Sequence, residues 1–201
     1  MIPGSGDVAG MQVLLSSEQI ARRVAELAAE LHRDFAPRPL TIVGVLTGCL
    51  IFLADLIRRL DCPMQIHLVQ ASSYRGETTR PDTLRLNLDG LPDLKGKEVL
   101  LIDDILDTGR TISQIAETLR SRGARSVRTA VLLHKVNRQE VAFHPDYVGF
   151  TIPDAFVVGY GLDYDGDYRH LPFIGVLSDQ DSKKSGGDAP DLRTRHDKPP
   201  T

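Results

Sequence analysis

Two hydrophobic patterns alternate along most of the chain, and they predict different elements. Continuous runs rich in β-branched and aliphatic residues, typical of buried strands, occupy residues 40–46, 65–72, 98–103, 127–133 and 155–160. Apolar residues at helical spacing predict helices at 16–33 and 50–60 and in the segment that ends at Gly123. Ser16 and Gln19 form a potential capping box for the first helix. This alternation predicts an α/β domain whose mainly parallel central sheet is flanked by helices.

Three segments lie outside that pattern. Residues 1–12 are rich in glycine and lack periodicity, and residues 179–201 are polar, so we expect a disordered leader and a disordered tail around a domain at 13–178. Residues 73–93 separate two predicted strands and carry leucines at period two, at positions 84, 86 and 88. A connection of this length is typical of a lid or a binding loop, and we expect a mobile arm with a partial β-hairpin.

Composition excludes several classes of protein. The 201 residues carry a formal net charge of −3, whereas a general nucleic-acid binder is normally basic, so we expect neither a nucleic-acid nor a membrane partner. No apolar run approaches the ~20 residues of a membrane span, and the amino terminus resembles no secretory signal. Cys49 and Cys62 lack the spacing of a metal or disulfide framework. These features favour a cytoplasmic protein.

The segment VLLIDDILDTGRTI (99–112) combines three kinds of ligand recognition. A hydrophobic strand ends in Asp103 and Asp104, and Asp107 precedes a turn formed by Thr108, Gly109, Arg110 and Thr111 that opens a helix. Ligands of open α/β sheets bind at the carboxyl ends of strands, and backbone N–H groups at a helix start suit a phosphate monoester. The upstream carboxylates suit sugar hydroxyls or a hard cation such as Mg²⁺.

A structural interpretation of the same loop stays open for each residue alone. Asp107 or Thr108 is also a suitable helix N-cap, and Asp103 and Asp104 could be solvated residues at a strand end. An N-cap does not require two further acids upstream, so the complete string favours a ligand site. The sequence lacks both the P-loop motif and the glycine pattern of dinucleotide-binding folds.

The segment 99–112 resembles the signature of type I phosphoribosyltransferases, whose loop binds 5-phosphoribosyl-1-pyrophosphate (PRPP). Downstream, VLLHKVNRQ and FVVGYGLDY resemble the hypoxanthine(-guanine) phosphoribosyltransferases, and with VGVLTGCLIFLADL the resemblance covers about residues 13–177. It implies the type I phosphoribosyltransferase fold, with a mobile lid arm and a small base-binding hood. It also implies transfer of the phosphoribosyl group to N9 of hypoxanthine, with guanine as a second base, giving IMP or GMP and pyrophosphate.

The resemblance assigns roles at the purine. Asp107 is the implied general acid/base at purine N7, and Lys135 the implied donor to the 6-oxo group. Phe156 is implied to stack on the base, and Val157 to bind its edge through the backbone. From the residues alone, Lys135 could be an ordinary lysine with a solvated ammonium group, and Phe156 would be a core residue.

The resemblance also assigns the PRPP and magnesium sites. Residues 103, 104 and 107–111 are implied to bind ribose and 5-phosphate, and Asp163, with Asp103 and Asp104, to ligate Mg²⁺. Arg169 is implied to pair with pyrophosphate oxygens. Without the resemblance, Asp163 would be a turn residue and Arg169 a surface charge.

One loop departs from the family pattern. Leu46, Thr47 and Gly48 match the pyrophosphate loop, where the family commonly has lysine at the position of Thr47. Backbone amides of this loop do much of the binding in the family, often through a cis peptide. Ser73 and Tyr74 match the pair that closes over the reacting centre, which would exclude water from an activated sugar.

Two alternatives to hypoxanthine transfer stay open. Lys135 would recognise the 6-oxo group of hypoxanthine, guanine and xanthine alike, so an enzyme that prefers guanine or xanthine is one of them. A nucleotide-sensing regulator that binds RNA on the same fold is the other, with Arg120, Arg122, Arg125 and Arg128 as its basic residues. These arginines surround a helix C-terminus, where cations complement the helix dipole. The family also implies a homodimer or homotetramer.

Overall fold

The computed structural model describes residues 7–8, 11–73, 84–88 and 90–177. Its helices are α1 (Ser17–Phe35), α2 (Leu50–Ile57), α3 (Arg110–Ser121) and a short 3-10 helix (Val136–Arg138). Its strands are β1 (Asp7–Val8), β2 (Met11–Leu15), β3 (Leu40–Leu46), β4 (Met64–Ser73), β5 (Leu84–Asn87), β6 (Glu98–Leu106), β7 (Ser126–His134), β8 (Tyr147–Thr151), β9 (Val157–Val158) and β10 (Ile174–Val176).

The central sheet is mainly parallel, as predicted. Within the described residues it has the order β5-β4-β3-β6-β7-β8, and only β5 runs antiparallel to its neighbour. The apolar runs at 40–46, 65–72, 98–103 and 127–133 are confirmed as β3, β4, β6 and β7. Strand β8 was not predicted, because its burial is intermediate at most positions and its sequence, YVGFT, is short.

Helices cover both faces of this sheet. Leu40 and Ile42 face the core formed with α1 and α2, whereas Val43 and Val45 face the core formed with α3. Successive strand residues point to opposite faces, so a strand buried on both sides is apolar at most positions. The α/β prediction is therefore confirmed, and the carboxyl ends of β3 and β6 meet at one edge of the sheet.

The helix boundaries follow their capping residues. The capping box is present, because the Ser16 hydroxyl accepts from Gln19 N and the Gln19 side chain accepts from Ser16 N. Gly123 follows α3 with a φ of 86°, in the left-handed region that glycine favours. The helix predicted over 50–60 ends at Ile57. After it the chain forms tighter turns, in which the N–H groups of Arg59 and Leu60 donate to the carbonyl oxygens three residues earlier.

A second, antiparallel sheet corrects two predictions. Within the described residues it has the order β1-β2-β10-β9. The expectation of disorder over 1–12 is wrong for β1 and for the start of β2, because β2 pairs with β10 and Met11 is buried there. The strand predicted at 155–160 is shorter, since only Val157 and Val158 pair, and it lies in this sheet rather than the central one.

The predicted arm is described only in part. Strand β5 pairs with the end of β4, from Gln70 to Ser73, which confirms a partial β-hairpin. Residues 74–83 and 89, with Tyr74 among them, lie outside the described residues, as do 178–201 and therefore the predicted tail. Among the helices in the described part of the chain, none is long and apolar enough to span a membrane.

Candidate active site

A cavity of about 330 Å³ opens at the carboxyl ends of β3 and β6. It is bordered by the loop after β3, the loop between β6 and α3, and the segment that follows β9. Together these bring predicted site residues to one place: Leu46, Thr47, Gly48, Asp103, Asp104, Asp107, Thr108, Gly109, Thr111, Asp163 and Arg169. Arg110 is not among the lining residues and pairs with Glu140 instead. Lys135 lies near Asp107, Phe156 and Val157 lie at the start of β9, and Ser73 and Tyr74 belong to the predicted arm.

The loop before α3 borders the cavity and leads into the N-terminus of the helix. Gly109 is the N-cap of α3 with a φ of 82°, so neither Asp107 nor Thr108 is the N-cap residue. A Cβ at Gly109 would lie 2.9 Å from the carbonyl oxygen of Val141, so the loop also needs glycine for a close backbone approach. The Thr108 carbonyl accepts from the N–H groups of Glu140 and Val141, which fixes the loop for an anion at the helix start.

Asp103 is buried and the neighbouring Asp104 is half-buried, so the two form a carboxyl pair that is not freely solvated. The N–H of Asp104 donates to Asp103 Oδ1 (3.0 Å), and Ile105 N donates to Asp104 Oδ1 (2.8 Å). Burial raises the pKa of Asp103 well above its usual value, and the Asp104 charge raises it further. Burial also raises the pKa of Asp104, although hydrogen bonds and the nearby Arg169 charge oppose the shift. The pair is therefore suited to a ligand that supplies hydroxyl donors or positive charge.

The loop after β3 packs directly on Asp104 and on the segment after β9. The Leu46–Thr47 peptide is cis, as the family resemblance implied. A Cβ at Gly48 would overlap the Asp104 carboxylate, and a Cβ at Gly161 would overlap the carbonyl oxygen of Gly48. Glycines at both positions thus allow the three loops to meet around the cavity.

Asp163 and Arg169 face each other across a tight turn. Arg169 Nη2 lies 2.7 Å from Asp163 Oδ1, and Arg169 Nη1 donates to the Gly161 carbonyl (2.6 Å). Asp163 Oδ2 accepts from Gly166 N (2.9 Å), so Asp163 has the turn role that its sequence context suggested as well as a place in the cavity. Arg169 is two-thirds buried and is not a free surface charge.

A buried lysine lies near Asp107, which lines the cavity. Lys135 is only 6% exposed, which contradicts the interpretation as a lysine with a solvated ammonium group. Its Nζ lies 3.9 Å from Asp107 Oδ2 and 3.7 Å from Asp154 Oδ1, beyond hydrogen-bond distance of either. Arg138 Nε lies 3.1 Å from Asp107 Oδ1 without the alignment of a hydrogen bond, and Arg138 Nη1 donates to Asp154 Oδ1 at 3.4 Å.

Arg138 and Asp154 are functional candidates that the sequence analysis missed. Arg138 follows Lys135 by three residues, and a single 3-10 turn brings both toward Asp107. Asp154 lies two residues before Phe156, the residue that the resemblance implies stacks on the base. Proximity to Lys135 in sequence was a signal for Arg138 alone, and the sequence offered none for Asp154.

Phe156 is an exposed aromatic residue directly before β9. Its side chain is 52% exposed, so the core-packing interpretation is wrong. The Tyr164 ring meets it edge to face, with centroids 5.5 Å apart. Val157 is buried and pairs with Val176 in the small sheet, which fixes the backbone next to Phe156.

The described residues contain no preformed metal cage. No group of three or more His, Cys, Asp or Glu side chains in this part of the chain is arranged to hold a metal ion. Magnesium is usually held by one or two carboxylates together with substrate phosphates, so the set of Asp163, Asp103 and Asp104 fits a cation shared with a phosphorylated ligand. Ser73 ends β4 beside the arm, and Tyr74 lies outside the described residues.

Residues 11–165 match the family model of the phosphoribosyl transferase domain. The match spans most of the chain, and it includes the loops that line the cavity on the β3 and β6 side. The protein therefore belongs to the phosphoribosyltransferase family, and its fold is the type I fold of that family.

Relatives and solved structures point to one branch of this family. A Staphylococcus epidermidis hypoxanthine-guanine phosphoribosyltransferase is 45% identical over 165 residues, covering 82% of this chain and 92% of that protein. One from Streptococcus pneumoniae is 39% identical over 169 residues, covering 84% and 94%. A Staphylococcus aureus hypoxanthine phosphoribosyltransferase structure is 43% identical with a TM-score of 0.78, covering 84% of this chain and 91% of that one. A structure of the Trypanosoma cruzi hypoxanthine phosphoribosyl transferase is 34% identical with a TM-score of 0.83, covering 90% of this chain and 99% of that one. The branch is that of the hypoxanthine-guanine phosphoribosyltransferases.

Proposed function

We propose that the protein transfers the phosphoribosyl group of PRPP to N9 of hypoxanthine, and also of guanine, releasing pyrophosphate. The observation that carries this proposal is the buried ammonium group of Lys135, 3.9 Å from the Asp107 carboxylate. A hydrogen-bond donor for a 6-oxo group and a proton acceptor for N7 thus stand side by side, at the mouth of the loop 107–111. Adenine lacks the 6-oxo group and would not satisfy the lysine.

PRPP would lie along the cavity from α3 to Arg169. The N–H groups at the start of α3, with the hydroxyls of Thr108 and Thr111, would bind the 5-phosphate. Asp103 and Asp104 would accept hydrogen bonds from the ribose hydroxyls. The loop 46–48 and the forked guanidinium of Arg169 would hold the pyrophosphate, with Thr47 supplying a hydroxyl where the family commonly has lysine.

Magnesium is the proposed cofactor, and Asp163 would hold it together with Asp103 or Asp104. These carboxylates border the same cavity and are hard oxygen donors of the type that Mg²⁺ prefers. When bound, Mg²⁺ supplies positive charge that offsets the charge of the departing pyrophosphate.

The purine would enter between Phe156 and the sugar. The exposed Phe156 ring would stack on the base, the backbone of Val157 would bind its edge, and Lys135 would donate to O6. Purine N9 then forms a bond to C1 of the ribose while the bond from C1 to the pyrophosphate oxygen breaks. Asp107 takes the N7 proton during this step, which leaves a neutral base in the nucleotide.

Exclusion of water would complete the site. The activated sugar would hydrolyse if water reached C1, so we propose that the arm that begins at Ser73 and Tyr74 covers the reacting centre.

We also propose that the protein is a homodimer or homotetramer and that it is located in the cytoplasm. Large apolar side chains that are more than a third exposed, on α2 and β4, support a self-association surface: Leu50, Ile51, Ile66 and Leu68.

The RNA-binding alternative loses support from two of its arginines. Arg125 lies 3.5 Å from Glu98, and Arg128 lies 2.9 Å from Asp34. Both are therefore paired within the protein, which reduces the charge available to a phosphate backbone. A substrate panel distinguishes a preference for guanine or xanthine from a preference for hypoxanthine.

A purine panel tests the proposal. The protein is mixed with PRPP, Mg²⁺ and one base at a time (hypoxanthine, guanine, xanthine or adenine), and nucleotide formation is followed by chromatography. We expect conversion of hypoxanthine and guanine and none of adenine. Conversion of xanthine alone would favour the alternative enzyme, and no conversion of any base would refute the proposed activity.

A further inference from the structure

Four charged side chains alternate in sign at the purine end of the site. Asp107 has Lys135 beside one carboxylate oxygen (3.9 Å) and Arg138 beside the other (3.1 Å). Asp154 Oδ1 lies 3.7 Å from Lys135 Nζ and 3.4 Å from Arg138 Nη1. Each charge therefore has two neighbours of opposite sign, and none of the proposed catalytic roles uses Arg138 or Asp154.

A direct ion pair between Lys135 and Asp107 would interfere with the roles proposed for both residues. A buried ammonium group requires a compensating negative charge, and with Asp107 as its only partner it would be drawn into direct contact. A direct Lys135–Asp107 salt bridge would occupy the donors meant for purine O6 and the oxygen meant for the N7 proton. The observed separation of 3.9 Å leaves both groups available.

We propose that Asp154 and Arg138 are positioning residues that keep Lys135 and Asp107 from pairing with each other. Asp154 draws the ammonium group away from Asp107, and Arg138 offers Asp107 and Asp154 a second cation. This inference rests on the proposed function, because it assigns to Lys135 and Asp107 the roles described there.

Backbone hydrogen bonds fix both residues next to Lys135. Arg138 N donates to the Lys135 carbonyl (3.3 Å) within the 3-10 turn, and Ile152 N donates to the His134 carbonyl (3.0 Å), which ties the segment before Asp154 to the end of β7. Lys135 N in turn donates to the Leu106 carbonyl (2.9 Å), next to Asp107. These bonds join protein groups only, so a bound purine is not needed to hold the backbone of either residue in place.

A double-mutant cycle tests the inference. Asp154→Asn keeps the shape of the side chain and removes its charge, so Lys135 should move onto Asp107. We expect kcat/KM for hypoxanthine to fall roughly tenfold, the size of coupling typical of residues in contact, with the KM for PRPP unchanged. In a Lys135→Gln background the same substitution should have no further effect, because no ammonium group remains to be held. Arg138→Gln should show the same dependence on Lys135: a loss in the wild-type background and no further loss beside Lys135→Gln.

Glu26→Gln is the matched control. Glu26 is 54% exposed and pairs with an arginine at 3.0 Å, whereas Asp154 is 50% exposed and pairs with one at 3.4 Å. This control should keep wild-type kinetics, and all variants should keep the wild-type thermal midpoint. An equal loss from Asp154→Asn with and without Lys135 would overturn the positioning role while leaving the proposed function intact. A wild-type protein that converts no purine would overturn the proposed function and this inference together.

Discussion

Gly161→Ala should separate the pyrophosphate loop from the Arg169 segment. Gly161 has a φ of 102°, and an added Cβ would overlap the Gly48 carbonyl oxygen, which is backbone and has no rotamer to change. Restoring ordinary contact requires the two loops to part by on the order of 1 Å, and displacements of that size reduce enzymatic rates about 100-fold. We therefore expect kcat/KM for PRPP to fall by about 100-fold.

Gly166→Ala is the control that distinguishes the effect of the Gly161–Gly48 contact from the effect of backbone strain. Gly166 lies in the same segment with a φ of 89°, and a Cβ there would meet nothing within 4 Å. Both alanines carry the cost of a positive φ, about 1–2 kcal/mol, so both should lower the urea midpoint. Only Gly161→Ala should also impair PRPP use, as measured by initial rates against PRPP concentration. Equal kinetic losses in the two variants would refute the assigned contact between the loops.

Three further outcomes are expected. Phe156→Ala should raise the KM for hypoxanthine about tenfold, since stacking on a base is worth about 1–3 kcal/mol, and it should leave the thermal midpoint nearly unchanged because the ring is half exposed. EDTA should abolish transfer without altering the thermal midpoint of the ligand-free protein, because the described residues form no three-ligand cage. Burial raises the pKa of Cys49 to about 12, so iodoacetamide at about pH 8 should modify Cys62 first, as mass spectrometry would detect.

The contiguous part of the site could be predicted from sequence because its chemistry lies in one stretch. Residues 103–111 run from the end of a strand, through a loop, into a helix, so order along the chain equals order in space. The strands that lead there are buried on both faces, so each carries a long apolar run that is easy to recognise.

The charge cluster could not be predicted in the same way. Arg138 and Asp154 meet Asp107 and Lys135 only after β6, β7 and the small sheet are in place, and no local pattern encodes that meeting. A strand was predicted where β9 lies, but its pairing in a separate small sheet was missed for a related reason. Its β1 and β9 have two residues each, so pairing with β2 and β10 defines them rather than any periodicity of their own.

The most direct test of the account compares the wild-type protein with Asp107→Asn. Initial rates of IMP formation are measured with hypoxanthine, PRPP and Mg²⁺, and thermal midpoints are recorded for both proteins. We expect wild-type turnover to fall by about 10²–10⁴-fold in the variant, the usual contribution of a general acid/base, with an unchanged midpoint. A variant that forms IMP at the wild-type rate would contradict the role of Asp107. A folded wild-type protein that forms no IMP would contradict the proposed reaction itself.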